Sequence, residues 1–119
     1  MATRTLHELS GFNEWDEVHQ GITQTAELHQ PCIVIASAQW CAPCKSLKQS
    51  ILNADKLTDK EFERAKWFVL DIDQNHENVR MDLGIKQIPQ IVFVHAGDRS
   101  NVEIIRSNHL SKVKQLLKA

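Results

Sequence analysis

The 119-residue chain has no long apolar run. Its longest, Cys32 to Ala36, falls far short of the ~20 residues that a membrane-spanning helix needs. The first ten residues are polar and include Arg4, His7 and Glu8, so they carry no apolar secretory core. The chain is therefore expected to stay where it is made, in the reducing cytoplasm. Proline (3) and glycine (4) are sparse and scattered, which leaves no candidate for an interdomain linker. Repeats and low-complexity tracts are absent. A net charge of -1 lacks the basic excess that would hold nucleic acid or an anionic membrane surface. Three cysteines leave an odd one in any disulfide framework, so they need an explanation in chemistry or in packing.

What is present is ordinary globular material, 42% hydrophobic and 24% charged. The length suits one domain over residues 1–119 and allows roughly two thirds of the unfolded surface to be buried without staples. Thr5 to Leu9 reads as a short strand. Phe12, Trp15, Val18, Ile22 and Ala26 recur at helical spacing, which predicts a helix over Phe12 to Leu28, closed by Gln30-Pro31. Cys32 to Ala36 and Trp67 to Ile72 are apolar, β-branched runs expected as strands buried on both faces. Between them, a helix from about Cys41 to Ala54 and a shorter one over Lys56 to Arg64 are expected. His76 to Leu83 is a further helix with Gly84 at its C-terminal cap. Gln90 to His95 and Val102 to Arg106 form strands joined by the turn Ala96-Gly97-Asp98. Asn108 caps a last amphipathic helix carrying Leu110, Val113, Leu116 and Leu117. The alternation predicts an α/β fold: a mixed sheet of four to five strands with helices on both faces.

The chemistry concentrates in Trp40-Cys41-Ala42-Pro43-Cys44-Lys45, where a buried strand hands over to a helix. The first helical turn has unpaired N–H groups and a partial positive charge, which stabilise a thiolate and lower its pKa. Pro43 fits that turn because its missing N–H costs nothing there. The two-residue spacing puts both sulfurs within bridging reach. Cys41, at the helix start, is expected to be an exposed nucleophile and Cys44 the shielded resolving thiol. Lowering a thiol from about 8.5 to about 7 raises its thiolate fraction at neutral pH by roughly fifteenfold. The competing readings are a structural zinc site and a chance pair. Zinc needs four ligands, and His7, His19, His29, His76, His95 and His109 show no matching pair.

With Trp-Cys-x-Pro-Cys-Lys after a buried strand, the chain resembles the thioredoxin family. The resemblance extends to Pro31-Cys32-Ile33-Val34-Ile35-Ala36, Leu70-Asp71-Ile72-Asp73-Gln74-Asn75, Gly84-Ile85-Lys86-Gln87-Ile88-Pro89-Gln90 and Phe93-Val94-His95-Ala96-Gly97. It covers about Gln30 to Ala119 well and the first 29 residues only in pattern. It implies the thioredoxin fold, a monomer and a cis Ile88–Pro89 bond facing the cysteines, with the Ile88 backbone open to an extended substrate. Trp40, Ala42, Pro43, Ile88 and Pro89 would form the substrate surface. Asp73 would hold the Trp40 indole, against the simpler reading of Trp40 as edge packing. The activity implied is protein-disulfide reduction in two exchanges, first at Cys41 and then by Cys44. It needs no cofactor or metal beyond the dithiol. Its partners would be disulfide-containing protein clients and a thioredoxin-reductase-like protein for recycling.

Several positions depart from the family pattern. Ile35 and Val69 stand where the family buries an Asp and a Lys, and losing both avoids stranding one charge. Without that acid, the Cys44 proton is expected to leave to water or to Cys41, and turnover at neutral pH to be slower. The dipeptide is Ala-Pro, compatible with a reducing site, and an isomerase or oxidase reading is disfavoured. Gln49 replaces a helix-kinking proline. The slightly long segment Ile51 to Lys66 resembles thioredoxin-like domains of membrane-linked reductases, which implies a narrow client range. Cys32 is expected to pack as a small hydrophobe, with a regulatory or dimer-forming thiol as the alternative. Lys45 either raises the potential near the pair or is a solvated helix residue. A second overall reading is a binding module whose redox activity is secondary.

Overall fold

The computed structural model describes residues 13–52, 59–74, 87–96, 102–106 and 110–118. The strand expected at Thr5 to Leu9, the helix at His76 to Leu83 with Gly84, residues Gly97 and Asp98 of the turn, and the cap at Asn108 lie outside the described residues.

Helix α1 spans Trp15–Glu27. Its start is tied to the sheet by Asn13, whose amide donates to the Val69 carbonyl (2.8 Å) and whose Oδ1 accepts the Val69 amide (2.9 Å). Asp16 and Glu17 place negative charge in the first turn, where the helix dipole favours it. Glu17 also accepts the amide of Glu14 at 3.0 Å. The helix stops one residue before the expected Leu28. His29 adopts the left-handed conformation (φ 54°), and the Gln30 amide returns to the Thr25 carbonyl at 2.7 Å, a Schellman closure that acts ahead of Pro31.

Strand β1 (Cys32–Ser37) is buried throughout. Helix α2 (Ala42–Leu52) follows, then the short α3 (Asp59–Glu63), β2 (Lys66–Asp71), β3 (Gln90–Val94), β4 (Val102–Arg106) and α4 (Leu110–Lys118). The sheet order is β2-β1-β3-β4, with β1 parallel to β2 and antiparallel to β3, and β3 antiparallel to β4. Strand β2 is shifted one residue towards the N-terminus from the expected Trp67 to Ile72. Asp71 ends it, because its Oδ1 accepts the Asp73 amide (2.9 Å) and turns the chain.

Side-chain alternation sorts the core into two layers. On one face Ile33, Ile35, Trp67, Val69, Ile91 and Phe93 meet Leu47 and Ile51 of α2, Phe62 of α3, and Val113 and Leu117 of α4. On the other, Val34, Ala36, Phe68, Leu70 and Val92 meet Val18, Trp15 and Ile22 of α1. The sheet is thus mixed, with helices on both faces, and the strand ends that lead into α2 lie at one edge of the core.

Candidate redox site

Beyond Ser37 the chain turns through Ala38, Gln39 and Trp40, closed by the Cys41 amide donating to the Ala38 carbonyl (3.2 Å). Cys41 then caps α2. Its carbonyl takes the Lys45 amide (3.3 Å), and its Sγ accepts the Cys44 amide at 3.2 Å. That is the position a capping oxygen normally fills, so a sulfur here receives an N–H that the helix itself cannot pair. Helix geometry keeps the two Cα atoms 5.3 Å apart, and a disulfide joins Cys41 to Cys44. The same N–H and the helix dipole stabilise charge on Cys41 once the bond is reduced.

Cys41 is 4% exposed and Cys44 fully buried. The expectation of an exposed Cys41 is thus corrected: it is buried too, and the more accessible of the two residues only by a narrow margin. In the bridged form it packs with Ala38, Cys44, Ile72 and Ile88. Ala42 and Pro43, between the cysteines, are exposed. Trp40 is 67% exposed, and its Nε1 donates to Asp73 Oδ2 at 3.0 Å. The indole is therefore anchored by its polar end with its ring presented to solvent, which is not edge packing. Ile88 and Pro89 are half-buried, and the peptide bond between them is cis. The contact of Ile88 with the cysteine cluster brings the entry to β3 beside the disulfide.

Ile35 and Val69 are partners in register across β1 and β2, and both are fully buried. The layer beneath α2 is therefore apolar at that level. Cys32 lies away from the site at the start of β1, and burial pushes its thiol up to about 12 despite a Thr25 hydrogen bond and the nearby Lys66. It is a small apolar side chain that keeps its proton. On α2, burial and then the neighbouring Lys45 lower the pKa of Lys48, while Lys45 itself is solvent-exposed. Among the described residues no group of three His, Cys, Asp or Glu side chains is placed to hold a metal ion.

The sequence reading did not single out Ser37, Asp71 and Gln90, three polar residues buried at this end of the sheet. A signal existed for Asp71, the one acid inside the otherwise apolar run Trp67 to Ile72.

A family model described as Thioredoxin matches residues 14–119. Thioredoxin Asp f 29 of Aspergillus fumigatus is 35% identical over 78 residues, 66% of this chain and 67% of that protein. A thioredoxin of Rickettsia felis is 30% identical over 81 residues, 68% of this chain and 73% of its own. The solved thioredoxin of Trypanosoma brucei brucei superposes with a TM-score of 0.64 at 21% identity, over 99% of this chain and 96% of that one.

Proposed function

The chain belongs to the thioredoxin family, and from that premise we propose that it is a protein-disulfide reductase whose working group is the Cys41/Cys44 dithiol. Its chemistry is thiol–disulfide oxidoreduction, and the family acts on disulfide-containing proteins without a prosthetic cofactor. The observation that carries the reading is the Cys44 amide held 3.2 Å from the Cys41 sulfur in the first turn of α2, in a pair already bridged.

In the proposed cycle the Cys41 thiolate attacks a client disulfide and releases one client thiolate. A mixed disulfide remains. Cys44 then attacks Cys41, the second client thiolate leaves, and the Cys41–Cys44 disulfide forms. Two electrons have passed to the client. A reductase of the thioredoxin-reductase type would return the dithiol, and a reducing compartment such as the cytoplasm suits that cycle. Trp40, Ala42, Pro43, Ile88 and Pro89 are proposed as the client surface. Support comes from their common edge and from the Asp73 anchor that fixes the exposed indole.

The test uses two variants on an insulin-reduction assay with dithiothreitol as the recycling thiol. Cys41→Ser is expected to abolish the catalysed rate. Cys44→Ser is expected to stop after one exchange and to accumulate a protein–client mixed disulfide, visible by mass and reversed by excess thiol. A Cys44→Ser protein that turns over like wild type would contradict the proposal.

A further inference from the structure

The client surface around the dithiol offers an indole face, apolar side chains and backbone. A client disulfide arrives on a peptide chain, and that chain brings N–H and C=O groups on both sides of the bond. A surface that covers those groups without pairing them loses affinity. Side chains able to pair with them stand on the three segments that meet at the cysteine pair.

Ala38, Cys41, Cys44, Ile72 and Ile88 pack as one cluster, and the Trp40 indole bonds Asp73 at 3.0 Å. Those contacts bring residues 38–41, 71–74 and 87–90 to one edge. Each segment carries a glutamine directly beside a contact residue. Gln39 lies between Ala38 and Trp40, Gln74 follows Asp73, and Gln87 precedes Ile88. All three are exposed. In the last segment the loop divides its work: Ile88 packs on the cysteines, and Gln87, just ahead of the cis-proline turn, meets solvent. Gln90, after that turn, is buried on β3 and does not belong to the set.

One exposed glutamine is ordinary surface. Three of them, one on each segment that frames the disulfide, form a pattern. Their side chains make no hydrogen bond among the described residues. Other polar groups at this edge are already engaged. Asp73 Oδ2 accepts the indole, Asp71 Oδ1 accepts the Asp73 amide, and the Gln74 amide donates to the Asp71 carbonyl at 3.2 Å. The three segments hold a single exposed charge, Asp73, and it anchors Trp40. What they offer an incoming chain is neutral hydrogen bonding. A carboxamide has two N–H donors and an oxygen with two lone pairs, so it matches both the N–H and the C=O of an extended peptide.

We propose that Gln39, Gln74 and Gln87 are client-binding residues whose carboxamides pair with the client main chain on either side of its disulfide. The proposal rests on the reductase reading above and narrows its client class. The clients are disulfides in extended segments whose main-chain N–H and C=O groups are free. A disulfide whose flanking residues lie within a helix or an inner strand has already spent those groups and offers the glutamines nothing. The selection acts on backbone rather than on a charged neighbour of the client cysteine. Gln87 is the central member, because it adjoins Ile88 and the backbone there is the proposed docking edge for an extended segment.

The test compares two disulfides, one with a peptide backbone and one without. The first is an end-blocked peptide dimer joined through a single cysteine with uncharged residues on both sides. The second is bis(2-hydroxyethyl) disulfide, which has no amide. Reduced protein is mixed with each in a stopped-flow instrument, and its oxidation is followed by tryptophan emission as a second-order rate constant. In Gln87→Ala the peptide is expected to react about three- to tenfold more slowly, the range for one lost hydrogen bond. In the triple variant Gln39→Ala, Gln74→Ala, Gln87→Ala the loss is expected to reach at least about tenfold. The small disulfide is expected to react within about twofold of wild type in both, because it has nothing for a carboxamide to hold. Gln87→Leu keeps the bulk without the hydrogen bonds and is expected to match Gln87→Ala on the peptide. An unchanged peptide rate in the triple variant would overturn the proposal. So would an equal loss on both disulfides, which marks a disturbed dithiol, or a Gln87→Leu protein as fast as wild type, which marks packing. A wild-type protein that reacts with neither disulfide faster than glutathione does would overturn the reductase reading itself, and this proposal with it.

Discussion

Burial gives the three cysteines opposite fates. Cys41 and Cys44 are buried around a helix terminus that supplies an N–H to sulfur, so their chemistry is thiolate chemistry. Cys32 is buried at the start of the inner strand β1, where burial raises its pKa from 9.0 to about 12. That shift is a statement about stability. Above about pH 9 the unfolded thiol ionises while the folded one holds its proton, so the unfolded state binds fewer protons and stability falls as pH rises towards 12. Cys32→Ala removes the group from both states. Its stability is expected to decline less steeply than wild type over that range, by up to ~1.4 kcal/mol per pH unit. Urea unfolding of the oxidised proteins across the range checks this, and parallel curves would contradict it. The absolute loss from the missing sulfur is pH-independent and does not confuse the comparison.

At the scale of elements, α1 is fitted to the sheet by a close approach. Gly21 is buried, and a Cβ built on it would overlap the Phe68 ring of β2. In an open helix Gly to Ala stabilises by about 1 kcal/mol. Here Gly21→Ala is expected to destabilise by about 1–3 kcal/mol, because the ring must move within a packed layer. Equilibrium urea unfolding measures it, and a stabilised variant would contradict the packing described. The sequence made the strands legible because Cys32 to Ala36 and Gln90 to Val94 are apolar at every position or nearly so, a pattern that only burial on both faces explains. It made the cysteine turn legible because residue types and spacing there leave few alternatives. The end of α1 was less legible: Pro31 advertised a stop, but the chain stops earlier at His29, whose left-handed conformation no residue type at that position announces. Ser37 and Asp71 were not legible at all as a pair. They are 34 positions apart, and only the parallel register of β1 and β2 makes them neighbours.

At the scale of the molecule, the layers of the core lead to the redox pair at one end. Between the helices on the α2 side and the sheet, the rows are apolar from Ile33 and Trp67 through Ile35 and Val69, and turn polar only at Ser37 and Asp71. The site residues Trp40, Cys41, Asp73 and Ile88 come from three separate segments joined at that edge. The central claim is that this edge is a poised dithiol. The measurement that tests it most directly is a redox titration of the Cys41–Cys44 pair against glutathione, followed by tryptophan emission, with Trp40→Phe as the control that assigns the signal. A reversible two-electron transition with a midpoint near about −270 mV is the result expected of a reducing member of the family. A midpoint above about −200 mV would mark a pair poised to oxidise, and the absence of any reversible transition would contradict the reductase account and leave a binding module in its place.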